Sequence, residues 1–132
     1  MSASIHKTEL AYRVVDAVVR GDFGTFMSLF SVNGRVWRNF DNREISLKDN
    51  LPILKRISAN CRLLYEEVRI FETKSGWIQL HDLRAIYADG SECRVPSCQV
   101  FRLGADGKIA RLEEYLDGAQ LMALGTTPAG VA

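Results

Sequence analysis

The stretch VFRLGADGKIARLEEYLD, residues 100–117, decides the fold. Its middle, GADGK at 104–108, combines glycine with aspartate, the residues that tight hairpin turns require. Runs typical of strands lie on either side of it, ECRVPSCQVFRL at 92–103 and IARLEEYL at 109–116. We therefore predict a β-hairpin whose second strand ends in acidic and aromatic residues.

Two more strands precede this hairpin. RLLYEEVRIFE at 62–72 and WIQLHDLRAIY at 77–87 are separated by TKSG, and ADGS separates the second of them from the hairpin. Each break carries a glycine, as hairpin turns do. The second half of the chain is therefore predicted to be a meander of four antiparallel strands.

The first half begins with two helices. Leu10, Val14 and Val18 recur every four residues, which predicts a helix over Thr8–Arg20 that ends at Gly21. Asp22 is a good cap for a second helix. The apolar stripe of that helix is Phe23, Phe26, Met27 and Phe30, which we expect to be core.

A short strand and a third helix complete the first half. SVNG at 31–34 predicts a turn, and RVWRNF at 35–40 predicts the strand. The third helix runs to Ile57 and is capped by Ser46 or Asn50; because proline suits a first turn, Pro52 favours Asn50. At the other end of the chain, GAQLMAL predicts a short helix after the last strand, and the tail 125–132 is expected to be loose. Helices followed by antiparallel strands indicate an α+β fold with the helices on one face of the sheet.

Composition excludes several classes of protein. The 132 residues suit one domain, with 47% apolar and 25% charged residues, and the net charge of +1 gives no reason to expect nucleic acid as a partner. The apolar runs are too short to cross a membrane, and MSASIHKTEL lacks the apolar core of a signal peptide, so we expect a cytoplasmic protein. Cys61, Cys93 and Cys98 form no regular pattern and are expected to be reduced; no metal site or cofactor is predicted.

At this point the chain resembles the nuclear transport factor 2-like superfamily, which includes ketosteroid isomerase, limonene-epoxide hydrolase and the SnoaL-like polyketide cyclases. The resemblance rests on VVRGDFGTFMSLF at 18–30, VWRNF at 36–40 and the stretch 100–117. It implies a single SnoaL-like domain over residues 1–132, with a core of about 8–124. The implied architecture is a cystatin-like α+β cone, a curved mixed or antiparallel sheet wrapped around the N-terminal helices.

The chain does not match ketosteroid isomerase at its functional positions. That family uses a tyrosine in the first helix, an aspartate in the first strand and an acid in the strand here written SCQVF. The corresponding residues are Val14, Arg38 and Gln99, so none of the three is retained. Isomerase chemistry of that specific kind is not expected.

The limonene-epoxide hydrolase pattern fits in part. There a Tyr-x-Asn and an acid hold a water, and WRN and LEEYLD place Trp37, Asn39 and Glu114 at these positions. The family's Arg-x-Asp pair falls on Gln79 and His81 when the LRA residues are matched without a gap. Sliding the match by one would choose Leu80 and Asp82 instead, and would turn every side chain of the strand to the other face.

Strand alternation predicts which side chains line the cavity. The predicted inner faces comprise Trp77, Gln79, His81, Leu83 and Ala85; Val95, Ser97 and Gln99; and Ala110, Leu112 and Glu114. The resemblance implies that Glu114 acts as general base, Asn39 orients a water and His81 acts as general acid. Its predicted substrate contacts are Trp37, Gln79, Gln99, Ser97, Val95, Leu83 and Leu112.

Two functions remain open at this stage. The first is a cofactor-free acid–base enzyme of hydrolase, isomerase or cyclase type that acts on a small apolar organic molecule in the cone. The second is a non-catalytic module of the same fold that binds a ligand or dimerises. In either case the outer sheet face, with Ile78, Leu80, Leu103 and Tyr115, is expected to pair two copies as a homodimer.

Overall fold

Six strands form a curved, unclosed sheet in the computed structural model, which describes residues 6–124. The strands are β1 Phe30–Arg38, β2 Arg43–Ser46, β3 Arg62–Glu72, β4 Gly76–Ile86, β5 Glu92–Leu103 and β6 Ile109–Leu116. Their order across the sheet is β2-β1-β6-β5-β4-β3. Strands β1 and β6 are parallel and all other neighbours are antiparallel, so the predicted meander is confirmed and the sheet is mixed.

Within the described residues four helices accompany the sheet: α1 Lys7–Arg20, α2 Phe23–Ser28, α3 Leu47–Asn60 and α4 Gly118–Leu124. The predicted end of α1 is confirmed, because Gly21 adopts a left-handed conformation with φ of 67° that suits a residue without a Cβ. Asp22 caps α2 as predicted, since its side chain accepts a hydrogen bond from the Thr25 backbone N–H. No helix within residues 6–124 is both long enough and apolar enough to cross a membrane.

The inner face of the sheet and the helices enclose the core. Trp77 and Phe101 stack there with ring centroids 4.4 Å apart, against apolar residues of α1 and α2. A second cluster fills the end of the cone below α3 and α4, where Ile57 and Leu121 meet the sheet. Every second residue of β4 is buried, as expected of a strand with one face in the core.

Two local predictions about the strands are wrong, and one strand was missed. SVNG at 31–34 is not a turn but lies within β1. The pairing of β1 with β6 is irregular there, because the residues between Phe30 and Arg35 of β1 lie opposite the shorter segment between Ile109 and Arg111 of β6. Strand β2 was not predicted. A register shift after Arg102 also turns Leu103 toward the core, so it does not belong to the outer face.

Ser46, not Asn50, begins α3. The Ser46 hydroxyl accepts a hydrogen bond of 3.1 Å from the Asp49 backbone N–H, as an N-cap should. Asn50 therefore lies inside the helix, where its side chain is buried, and Pro52 is an interior residue. This placement brings an amide side chain to the interior of the cone.

Candidate functional site

Two small cavities of about 40 and 30 Å³ lie inside the cone. Both are lined by Val18, Asn50, Leu54, Tyr65 and Glu114, which makes them neighbours. The first is completed by Arg38, Ile53, Ile57, Leu63, Leu83 and Leu121, and the second by Val14, Phe26, Gln99, Phe101 and Leu112. Apolar walls with a few polar groups are the usual composition of a small-molecule site.

Glu114 is the acid of this site. It lies directly opposite Gln99 in the β5–β6 register, and Gln99 Nε2 donates a hydrogen bond of 2.9 Å to its Oε2. Burial raises the pKa of Glu114, while the Gln99 hydrogen bond and the charge of Arg38 oppose that rise in part. The carboxylate is thus a stronger base than an exposed glutamate, and the predicted inward orientation of both residues is confirmed.

Arg38 brings a positive charge to the same site. The parallel register of β1 and β6 pairs Arg38 with Glu114, and Arg38 is 7% exposed. Its Nη2 donates to Asp41 Oδ2 at 2.9 Å, and its Cζ lies 5.0 Å from the Phe40 ring centroid. Its Nε is buried and has no hydrogen-bond partner among the residues described. Arg38 therefore places a buried guanidinium, with one N–H unused, in the wall of the first cavity.

Tyr65 and Asn50 add two uncharged polar groups. Tyr65 comes from β3 and Asn50 from α3, and both line both cavities. Within residues 6–124 neither the Tyr65 hydroxyl nor the Asn50 amide makes a hydrogen bond. Burial and the nearby Glu114 charge raise the pKa of Tyr65, so the phenol stays protonated. A hydroxyl and an amide that line a cavity without a protein partner can form hydrogen bonds to a ligand or to water there.

His81 faces inward, and Asp82 faces the other side of β4, as strand parity predicted. The imidazole is 3% exposed and lies behind Tyr65, with ring centroids 4.5 Å apart, so it lines neither cavity. Burial lowers the pKa of His81 to about 4, against the opposing charge of Asp82. The ring is therefore neutral at pH 7, and its predicted role as a general acid stays a prediction.

The predicted positions of Trp37 and Asn39 in the cavity are wrong. Trp37 packs on the outer face, with its ring centroid 5.2 Å from that of Tyr115 and its Nε1 donating to Asn42 Oδ1 at 3.0 Å. Asn39 is exposed, and its Oδ1 accepts a hydrogen bond from the Leu116 backbone N–H. Alternation along β1 turns Arg38, the residue between them, inward instead.

The other predicted contacts divide into two groups. Leu83, Leu112 and Gln99 line the cavities. Gln79, Val95 and Ser97 are buried on the same inner face but do not line them, and Ile109 rather than Ala110 fills the core below.

Arg38, Tyr65 and Asn50 were not predicted as site residues. Arg38 shares the parity of the apolar Val36, and that signal could have identified it as an inward residue. In the part of the chain that the structure describes, no group of three or more His, Cys, Asp or Glu side chains is placed to hold a metal ion.

Comparison with solved structures identifies the fold. A candidate polyketide cyclase from Xanthomonas campestris pv. campestris matches 91% of this chain and 96% of its own, with a TM-score of 0.75 and 16% identity. A protein with a ketosteroid isomerase-like fold from Catenulispora acidiphila, solved in complex with trimethylamine, matches 92% of this chain and 95% of its own (TM-score 0.72, 12% identity). A candidate isomerase from Bacillus subtilis matches 92% and 94% (TM-score 0.72, 14% identity).

These likenesses show a fold and not an activity. No family model and no curated protein matches the sequence. The fold is the α+β cone of these solved structures, which is the architecture predicted from the sequence. Because one fold hosts many chemistries, function has to be argued from the site.

Proposed function

We propose that this protein is a cofactor-independent acid–base enzyme that moves a proton on a small apolar carbonyl compound bound in the cone. The observation that carries the proposal is that Glu114 and Arg38 occupy opposite positions on two neighbouring strands and line the same cavity. Within residues 6–124 no ion pair or hydrogen bond joins the two. Opposite charges that share a buried site without neutralising each other leave room for a substrate between them.

The proposed step is abstraction of a proton next to a carbonyl group. Glu114 takes the proton from the substrate carbon. The electron pair of the broken C–H bond forms a carbon–carbon double bond as the π pair of the carbonyl group moves to its oxygen, which gives an enolate. Arg38 and Asn50 then stabilise the oxyanion, as preorganised donors in a dry site do. A positioned base contributes roughly 100- to 10,000-fold in rate, and losing one oxyanion donor costs roughly 100- to 1,000-fold.

The fate of the enolate distinguishes two reaction classes. Return of the proton from Glu114 to another carbon would be an isomerisation. Attack of the enolate carbon on a second carbonyl would be an aldol-type cyclisation. Candidate polyketide cyclases and a candidate isomerase share the fold, which supports both classes equally. Hydrolysis has less support, because Asn39, the residue expected to orient a water, binds the backbone of β6 instead.

The test is proton exchange, which requires no knowledge of the product. The protein is incubated in D₂O with a panel of cyclic ketones and 1,3-diketones, and deuterium incorporation is followed by mass spectrometry. We expect exchange with the wild type and a loss of at least roughly 100-fold in Glu114→Gln. Glu113→Gln is the matched control, since Glu113 lies next in sequence and bonds to Arg111 on the outer face.

Two results would contradict this function. One is exchange by Glu114→Gln at the wild-type rate. The other is an absence of exchange for every ketone that NMR shows to bind in the cavity.

The outer sheet face supports a second role, pairing of two copies. Tyr115 is 41% exposed there, and Ile78 and Leu80 are half-buried on the same face. Light scattering on size-exclusion fractions should give twice the monomer mass for the wild type and the monomer mass for Leu80→Glu. A wild-type monomer at high micromolar concentration would remove this role and leave the enzymatic proposal intact.

A further inference from the structure

A directed chain of hydrogen bonds runs along the inner face of β4. Trp77 Nε1 donates to Gln79 Oε1 at 3.2 Å, and Gln79 Nε2 lies 3.1 Å from His81 Nδ1. An indole nitrogen can only donate, so the Gln79 oxygen must point toward Trp77 and its NH₂ toward His81. His81 Nδ1 is then the acceptor, and the proton of the neutral ring is on Nε2.

The free end of this chain is a donor without an acceptor. His81 Nε2 is buried and has no hydrogen-bond partner among the residues described. Ser97 lies opposite His81 on β5 and its hydroxyl donates to the Val95 carbonyl, but within residues 6–124 its oxygen accepts no hydrogen bond from the imidazole. The His81 Nε2–H is thus a buried hydrogen-bond donor that is available to a ligand. Leaving such a group unpaired is unfavourable, so an arriving acceptor atom would be stabilised there.

Tyr65 separates this donor from the cavities. Its ring covers the imidazole, and the same side chain lines both cavities. Its hydroxyl has no hydrogen bond within residues 6–124 that would hold the ring in place. The cavities, about 40 and 30 Å³, are far below the roughly 300–1,000 Å³ of a drug-sized site. Rotation of this one ring would enlarge them and uncover His81 at the same time.

We propose that His81 and Tyr65 form a second ligand subsite, in which the His81 Nε2–H donates to an uncharged acceptor oxygen of the ligand after the Tyr65 ring moves aside. The ligand class is an apolar molecule that carries a carbonyl or ether oxygen. A charged ligand group is not favoured, since the surrounding buried residues Leu83 and Val95 are apolar. The proposed role of this subsite is binding alone, so it can be tested independently of the proton transfer proposed for Glu114.

The test compares two ligands of similar shape, cyclohexanone and methylenecyclohexane, which differ in the acceptor oxygen. Affinities are measured by NMR titration of the whole chain. The hydrogen bond from His81 should add roughly threefold to tenfold to the preference of the wild type for the ketone, the value of one net hydrogen bond. His81→Phe should lose that increment and keep only the preference given by Arg38 and Asn50, whereas the control Asp82→Asn, changed on the other face of the same strand, should keep the full preference.

A second measurement does not depend on whether the His81 variant folds. In wild-type protein labelled with ¹⁵N, the His81 Nε2–H proton resonance should move downfield on addition of cyclohexanone, as a new hydrogen bond requires, and should not move downfield on addition of methylenecyclohexane. Tyr65→Ala should increase the affinity for both ligands, because it removes the ring that covers the subsite. A ketone that binds while the His81 resonance stays unchanged would overturn the proposal, as would a full preference in a folded His81→Phe variant.

Discussion

Acid should destabilise this protein through His81, and the size of the effect follows from its burial. The imidazole is 3% exposed, and burial lowers its pKa from the usual 6.5 to about 4. At pH values between about 4 and 6.5 the imidazole is protonated in the unfolded chain and neutral in the folded chain. Stability is therefore lost as the pH falls from about 6.5 toward 4, and the full contribution is present above pH 6.5.

The magnitude can be worked out from the two pKa values. At pH 5 the unfolded imidazole is almost fully protonated and the folded one almost fully neutral. Each tenfold difference in protonation is worth about 1.4 kcal/mol, so His81 should cost about 2 kcal/mol of unfolding free energy on going from pH 7 to pH 5. This is a large share of the roughly 5–15 kcal/mol that stabilises a typical domain.

The assay is urea denaturation of the wild type and His81→Phe at pH 7 and pH 5. The Phe variant loses the acceptor for Gln79 at both pH values, so that cost cancels in the difference between them. Carboxylates with lowered pKa values, such as Glu66 and Glu72, also lose stability in acid, but they do so equally in both proteins. We expect the pH-dependent loss to be about 2 kcal/mol larger in the wild type. Equal losses would refute the argument that His81 is buried and neutral.

Three further predictions test the site and the fold. Glu114→Gln should raise the unfolding free energy at pH 7, because the raised pKa of the buried carboxyl means that folding disfavours its charge. The gain in unfolding free energy should disappear below about pH 4.5, where the carboxyl of the unfolded chain is also protonated. Urea titrations at both pH values check this. Gly76→Ala should prevent stable folding, seen as loss of the cooperative thermal transition, because a Cβ there would lie 1.9 Å from the Phe101 carbonyl oxygen. Ser46→Ala should cost about 1 kcal/mol in urea denaturation through loss of the α3 cap, and a cost below a few tenths would contradict that role.

The sequence was sufficient for those parts of the fold that depend on local rules. Glycine-containing turns and strands of 8–12 residues gave β3 to β6, and a period of two placed His81 and Glu114 on the inner face. The irregularities were not predictable in the same way. Glu67 adopts a positive φ of 56° where the β3–β4 register shifts, although RLLYEEVRIFE contains no glycine to signal a bulge.

The candidate site was predicted less well because it depends on contacts between distant strands. A match to the limonene-epoxide hydrolase motif placed Trp37 and Asn39 in the cavity, but a motif match does not fix which residue of β1 faces inward. The parallel pairing of β1 with β6 determines which residue of β1 faces inward, and no local sequence pattern predicts that pairing. Tyr65 was missed for a similar reason, since it becomes a site residue only when β3 curves over His81.

The pattern of partners inside the cone argues for a ligand more strongly than the residue types do. A purely structural pair of buried charges would be expected to bond directly, because an uncompensated charge in an apolar interior is costly. Here Arg38 bonds to Asp41 and Glu114 to Gln99, and the two charges do not bond to each other in the described chain. The atoms left unused include a guanidinium N–H, a phenol and an amide, all around the carboxylate. Donors gathered around one acceptor in this way are complementary to an oxygen-bearing molecule that gives up a proton.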